Sequence, residues 1–396
     1  MYSVPNVYLE TAASHGRMAF DPQDNVFLLA GPVKMHPRVL QAMAVPAINH
    51  RGGEFKEVNR ELHTLLKYLF QTQGEVALIS GSGTAGLESA VSSLLHRSDK
   101  VLNLVNGKFS ERFSELCAIH TEGQKVLEFP WGRPVDPQAV AAELETGGYA
   151  AVTVCHNETS TGVTNPLQEI ATLCRKHDAL LIADGITSVG GLELHMDEWG
   201  VDAVVMGSQK CLAAPAGLAG VAVSRRAYER LHSHHAYYLN LKEHIDALRD
   251  DQDTPFTPAI PLFLAFREAL RMLKEEGIER RLARTAKLAG ACRAAAKAID
   301  LDLFADERWA SNTVTAIRYP PNVDDGKFRK ILREDHRVVV SGGQGAIKGK
   351  VFRIGHMGIC SFQDLVAGWV GVEATMAAMG HLFPRGAAAA EVAKAM

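Results

Sequence analysis

The sequence offers little to staple or to metallate. Its six cysteines, Cys117, Cys155, Cys174, Cys211, Cys292 and Cys360, are scattered along 396 residues. None falls in a Cys-x-x-Cys pair and none joins histidines in a ligand cluster, so neither a disulfide framework nor a metal site is expected. Charge of one sign is lacking as well: 42 Lys and Arg stand against 45 Asp and Glu, for a formal net charge of −3. That balance suggests neither nucleic acid nor an acidic membrane surface as a partner. No stretch approaches the ~20 apolar residues that a transmembrane helix needs. Met1 to Arg17 is mixed and polar, without the apolar core of a signal peptide. The expectation is a cytoplasmic protein with reduced thiols.

What is present is an ordinary globular composition, 47% apolar, in a chain long enough for one large and one smaller domain. Short apolar runs recur at Val76–Ser80, Val101–Val105, Lys125–Phe129, Ala150–Cys155, Ala179–Asp184, Ala203–Gly207 and Ala219–Ser224. Continuous apolar runs of strand length predict strands buried on both faces, as in a mostly parallel sheet. Helical patterns such as Ala85–Leu95 and Leu167–His177 lie between them, which indicates α/β architecture with crossover helices. The last two runs are close together and predict an antiparallel edge. Beyond about residue 255 the rhythm changes. Helices are expected over Ile260–Glu276, Ile278–Ile299 and Gln363–Met379, with short strands at Val314–Tyr319 and Val351–Ile354. The division read from this pattern is an N-terminal arm (1–25), a large domain (26–258), a smaller α/β domain (259–384) and an Ala-rich tail (385–396) without an obvious core face.

Gly81-Ser82-Gly83-Thr84-Ala85-Gly86 matches the G-x-G-x-x-G of dinucleotide-binding folds. The next strand should then end in an acid for a ribose hydroxyl, and it ends in Asn106-Gly107 instead. What survives is the physical content of the loop. Glycines allow close approach, a helix start presents free N–H groups, and Ser82 and Thr84 add hydroxyls, all of which suit a phosphate. A plain strand-to-helix turn capped by Ser82 or Thr84 would look the same.

Three further segments narrow the choice. Leu180-Leu181-Ile182-Ala183-Asp184 is an apolar strand ending in an acid, where ligands of open α/β sheets bind. A carboxylate there can pair with a protonated ring nitrogen, although Asp also commonly caps a turn. Val204-Val205-Met206-Gly207-Ser208-Gln209-Lys210 is a strand followed at once by a lysine among small residues. Lysine forms imines with carbonyl compounds when its pKa is lowered, although a lone lysine is usually solvated. Phe109, just past another strand, can lie flat on an aromatic ring or simply fill the core. A phosphate cradle, a strand-end acid and a strand-end lysine together match the three handles of pyridoxal 5′-phosphate.

Those residues, with Gly31-Pro32-Val33, Pro37-Arg38-Val39, Asn49-His50-Arg51 before Phe55, Asn157-Glu158-Thr159-Ser160-Thr161-Gly162, Asp184-Gly185-Ile186-Thr187-Ser188, Ala214-Pro215-Ala216-Gly217 and Arg353-Ile354-Gly355, occur in an order that resembles the class V aminotransferases. These belong to the fold-type I pyridoxal-phosphate enzymes, and the alanine/serine–glyoxylate (or pyruvate) group is the most similar. The resemblance runs from about Leu28 to about Gly380. It implies that Lys210 carries the cofactor as a Schiff base and moves the substrate proton, that Asp184 pairs with the pyridinium nitrogen, and that Phe109 stacks on the ring. Gly83, Thr84, Ala85 and Gln209 would cradle the phosphate. Thr159 would bond the ring oxygen and Arg353 would grip the substrate carboxylate. Many relatives have Trp where this chain has Phe109, and His where it has Thr84. Thr257 matches a position that reaches the phosphate of a partner subunit, which implies a homodimer. The same resemblance leaves open a 2-aminoethylphosphonate–pyruvate aminotransferase. It also leaves open a cysteine desulfurase, with Cys211, Cys292 or Cys360 as nucleophile, and a non-catalytic partner subunit.

Overall fold

The computed structural model describes residues 25–233 and 236–396. The expected N-terminal arm, apart from Asn25, therefore lies outside the described residues.

All seven apolar runs are strands of one sheet. Its order across the sheet is Glu75–Ser80, Leu218–Val223, Ala203–Gly207, Leu180–Asp184, Tyr149–Cys155, Lys100–Val105, Gly123–Glu128. The absence of polar alternation has the expected cause, because the two faces feed two separate cores. Val76, Leu78, Leu102, Leu104, Val152 and Val154 pack on one side with the helices Gly53–Phe70, Leu167–Lys176 and Ile260–Glu276. Ala77, Ile79, Val101, Ala151, Leu180 and Ile182 pack on the other with Gly83–Leu94, Lys108–His120 and Leu241–Asp251. The antiparallel strand is real but is not an edge. Leu218–Val223 pairs antiparallel with both Glu75–Ser80 and Ala203–Gly207 and sits one place in from the margin. The remaining strands run the same way, so their carboxyl ends open on a single side of the sheet.

A second sheet has the order Val26–Leu28, Val338–Gly342, Val351–Gly355, Val314–Arg318. Its core contains Trp369, Phe328, Phe352, Leu365 and Val372, closed by the helices Ile278–Ala298 and Phe362–Ala378. Two features differ from the sequence expectation. Val26–Leu28, expected within the large domain, pairs in parallel with Val338–Val340 of this second sheet. A three-residue strand shows no alternation, and its partner lies some three hundred residues away. The segment 385–396 is no loose tail. Ala387–Lys394 is a helix with Ala388 and Val392 fully buried. Its first turn is capped from outside by the Glu373 carboxylate, which accepts from Gly386 N–H (2.8 Å) and Ala388 N–H (2.6 Å). A face made of alanine leaves little apolar signal to read. Among the described residues no helix is long and apolar enough to cross a membrane.

Candidate active site

A cavity of about 230 Å³ lies at the carboxyl ends of the parallel strands, lined in part by Gly83, Thr84, Phe109, Thr159, Asp184, Gln209 and Lys210. One wall is the start of the helix Gly83–Leu94. Ser82 occupies its cap position in an extended conformation without a side-chain cap bond. The Ala85 N–H donates to the Ser82 carbonyl at 2.8 Å. The N–H groups of Gly83 and Thr84 precede that first bond, and both residues face the cavity. Glycine at 83 leaves room for Ile186, since a Cβ would fall 2.6 Å from Ile186 Cδ1 and push that side chain aside. Gln209 also lines the cavity, and the NH2 of its side-chain amide is the end that could donate to an anion. Unspent N–H donors at a helix start form a fitting seat for a phosphate.

Across the cavity stands Asp184. Its Oδ1 accepts from the Ile186 N–H at 2.9 Å, and the Cys155 thiol points to Oδ2 at 3.7 Å. Burial pushes this carboxyl up to about 6, against the restraining effect of the Ile186 N–H and of Arg112. An acid held this way gains most from a cation placed beside it, which a protonated ring nitrogen supplies.

Lys210 follows the strand Ala203–Gly207. Its Nζ donates to the Ala30 carbonyl at 2.8 Å. Burial brings its pKa down to about 8, with Arg353 and Arg112 acting in the same direction, while Cys211 and Asp184 oppose. A neutral, nucleophilic amine is therefore accessible near physiological pH. Room for the side chain comes from Gly31, whose φ is +100°. A Cβ there would lie 2.3 Å from Lys210 Cδ and 2.4 Å from Nζ.

Arg353 enters from the second sheet and is 5% exposed. Its Nε and Nη2 donate to the Gly342 carbonyl (3.0 and 2.8 Å) and its Nη1 to the Thr159 carbonyl (2.9 Å). Burial lowers its pKa to about 10. No carboxylate forms an ion pair with it among the described residues, so a buried cation is left to receive an anion. Phe109 lies below the Arg112 guanidinium at 5.0 Å. Its backbone is fixed by Glu158, whose carboxylate accepts from the N–H groups of Phe109 and Ser110 at the start of the helix Lys108–His120. Thr159 shares a 2.9 Å hydrogen bond with Thr187.

The structure thus brings most of the residues singled out in the sequence into one cavity. Arg353 stands beside that cavity, tied to Thr159. One expected cradle residue is not in its wall, since Ala85 has spent its N–H in the turn. Thr257, expected at a partner subunit's phosphate, is exposed on this chain's surface. Arg112, Asn157 and Thr187 line the cavity without a role having been read for them. Arg112 lies three residues after Phe109 in the first turns of its helix, a spacing that places both on one face and was available to read. No cysteine among the described residues lines the cavity, which argues against the cysteine-nucleophile alternative. All six thiols are buried, and burial pushes Cys211, Cys292 and Cys360 up to about 12, 11 and 12.

The aminotransferase class-V family model matches residues 36–362, and the chain belongs to that family. Transamination with pyridoxal phosphate comes with that membership. A protein of Methanocaldococcus jannaschii described as an uncharacterized aminotransferase is 41% identical over 92% of this chain and 95% of its own. The serine–glyoxylate aminotransferase of Methylorubrum extorquens is 35% identical over 90% of this chain and 92% of its own. Among solved structures, pyridoxamine–pyruvate aminotransferase from Mesorhizobium loti superposes with a TM-score of 0.90 at 31% identity, covering 93% of this chain and 96% of that one.

Proposed function

We propose that this aminotransferase moves the amino group of a small amino acid, alanine, serine or aspartate, to glyoxylate or pyruvate in two half-reactions of ping-pong order. It would act as a cytoplasmic homodimer. The observation that carries the reading is the pairing of a depressed-pKa amine, Lys210, with a buried guanidinium that lacks a carboxylate, Arg353, in and beside one cavity. The names of the glyoxylate- and pyruvate-using relatives support the choice of acceptor.

The chain's own groups divide the work. Gly83, Thr84 and Gln209 would hold the cofactor's phosphate, Asp184 its ring nitrogen, Phe109 its ring face and Thr159 its ring oxygen. Lys210 would hold it covalently at Nζ. Bound there, pyridoxal phosphate supplies the electron sink that makes an amino acid's Cα proton removable. Arg353 would bind the substrate carboxylate through the planar fork that suits it. Once free, the Lys210 amine takes that proton at Nζ and returns it, and the buried walls exclude bulk water during the transfer. Asp184, kept as an anion by its cationic partner, holds the ring's positive charge in place. Thr257, outside this chain's own cavity, would complete the phosphate seat of a partner subunit. The dimer reading rests on that position and on the family resemblance.

A half-reaction screen tests the proposal. The loaded enzyme is mixed with single amino acids and the absorbance of the bound cofactor is followed. The amino form is then challenged with glyoxylate, pyruvate and 2-oxoglutarate. Conversion by alanine, serine or aspartate, with recovery by glyoxylate or pyruvate, is expected. Conversion by 2-aminoethylphosphonate alone would contradict the substrate reading. No conversion by any donor would favour a non-catalytic subunit.

A further inference from the structure

The stretch that joins the two sheets next to Lys210 is built in an unusual way. The parallel ladder between Val26–Leu28 and Val338–Val340 ends at Leu28. The chain then leaves the sheet toward the lysine, and the Ala30 N–H has no strand carbonyl to meet. The Ser341 hydroxyl takes that N–H at 3.1 Å. On the other side of the same residue, the Ala30 carbonyl accepts from Lys210 Nζ at 2.8 Å. The next residue, Gly31, leaves its Cα bare against the lysine stem. Ser341 is also the register partner of Arg353, and the following residue, Gly342, provides the carbonyl that receives two of Arg353's hydrogen bonds. Two consecutive residues on one strand therefore fix both the amine and the guanidinium.

We propose that Ser341 is a positioning residue for Lys210, holding residue Ala30 by its N–H so that the same residue's carbonyl orients the free amine relative to a carboxylate gripped by Arg353. This rests on the reading of Lys210 as the reacting amine. An amine on a four-carbon stem has many orientations, and proton transfer needs one of them. A hydrogen bond to a fixed carbonyl restricts the choice. That carbonyl stays fixed only while the other face of its residue is tied. Ser341 serves the chemistry through Ala30 and need not touch substrate.

The test compares wild type, Ser341→Ala and Ser341→Thr in two measurements. In the first, the cofactor-free full chain is treated with trinitrobenzenesulfonate across a pH series, and modification of the Lys210 peptide is quantified by mass spectrometry. The charged and titratable groups that act on Nζ, namely Asp184, Arg112, Arg353 and Cys211, are the same in all three proteins. Loss of the anchored acceptor destabilises the ammonium form, so the midpoint in Ser341→Ala should fall by about half a unit. Ser341→Thr keeps the hydroxyl and should match wild type. In the second, the loaded enzymes convert Cα-deuterated and ordinary alanine. Ser341→Ala should be about three- to tenfold slower, with a larger isotope effect and a KM for alanine little changed. A purely structural serine would alter stability and leave midpoint and isotope effect alone. If Ser341→Ala does not fold, Ser341→Cys, whose sulfur is a weak acceptor, is read in its place. Identical midpoints and isotope effects in wild type and Ser341→Ala, with Lys210 loaded in both, overturn the proposal. If Lys210 carries no cofactor in any of the three, the reading of the site itself fails, and the role of Ser341 with it.

Discussion

Burial places Lys210 and Asp184 under opposite strain. Each is less willing to be charged than in water, the lysine down to about 8 and the aspartate up to about 6. For Asp184 the folded value lies above the unfolded one. The stability cost is therefore absent in acid, grows as pH rises through the interval up to about 6, and is fully present at neutrality. Asp184→Asn should accordingly stabilise the cofactor-free protein at pH 7 by about 1–3 kcal/mol. It should at the same time weaken cofactor retention, and denaturant titrations of the cofactor-free and loaded forms would show both effects. An Asn variant less stable in both forms would contradict the assignment. Arg353→Ala is expected to remove charge-assisted hydrogen bonds worth about 1.5–3 kcal/mol each. The amino-acid KM should then rise at least tenfold, while cofactor content stays near normal. The residues that carry the chemistry were legible one by one. Asp184 ends one strand and Lys210 closely follows another, so chain position alone put them on the same side of a parallel sheet. Ser341 was not legible in the same way, because its significance comes from Ala30, a neighbour distant in sequence.

At the scale of elements, the seven apolar runs were readable because both faces of the large sheet are covered. The helix Gly53–Phe70 carries Phe55, Val58, Leu62, Leu65, Leu66 and Leu69 on its buried face, a helical spacing that the sequence itself displays. The alanine helix Ala387–Lys394 was hidden for the opposite reason, since its contact face is made of small side chains. Contacts between elements were beyond sequence reasoning altogether. Arg281, on the helix Ile278–Ala298, is almost fully buried, pairs with Glu276 and donates from Nη1 to the Cys211 carbonyl at 3.1 Å, beside Lys210. Glu276→Ala leaves that guanidinium without its carboxylate. It should cost about 2–4 kcal/mol in a urea titration, since breaking a buried pair strands a charge. A change under half a kcal/mol would show that the pair is solvated in practice.

For the whole molecule, the second sheet provides Arg353 and Ser341 while the first provides Lys210 and Asp184. The site is therefore a joint product of both cores, and neither sheet alone would carry out the reaction. The proposed homodimer would add a further requirement, a phosphate seat completed by Thr257, which is exposed on its own chain's surface. Sedimentation at twice the chain mass, together with loss of phosphate affinity in Thr257→Ala, is expected. A monomer with full cofactor affinity would contradict the shared seat.

The most direct measurement is to saturate the protein with pyridoxal phosphate, reduce it with borohydride, and map the modified peptide by mass spectrometry. The reduced cofactor should sit on the peptide containing Lys210, with Lys210→Ala taking up none covalently. Modification at some other lysine, or none in the wild type, would contradict the claim that this one amine is where the chemistry happens.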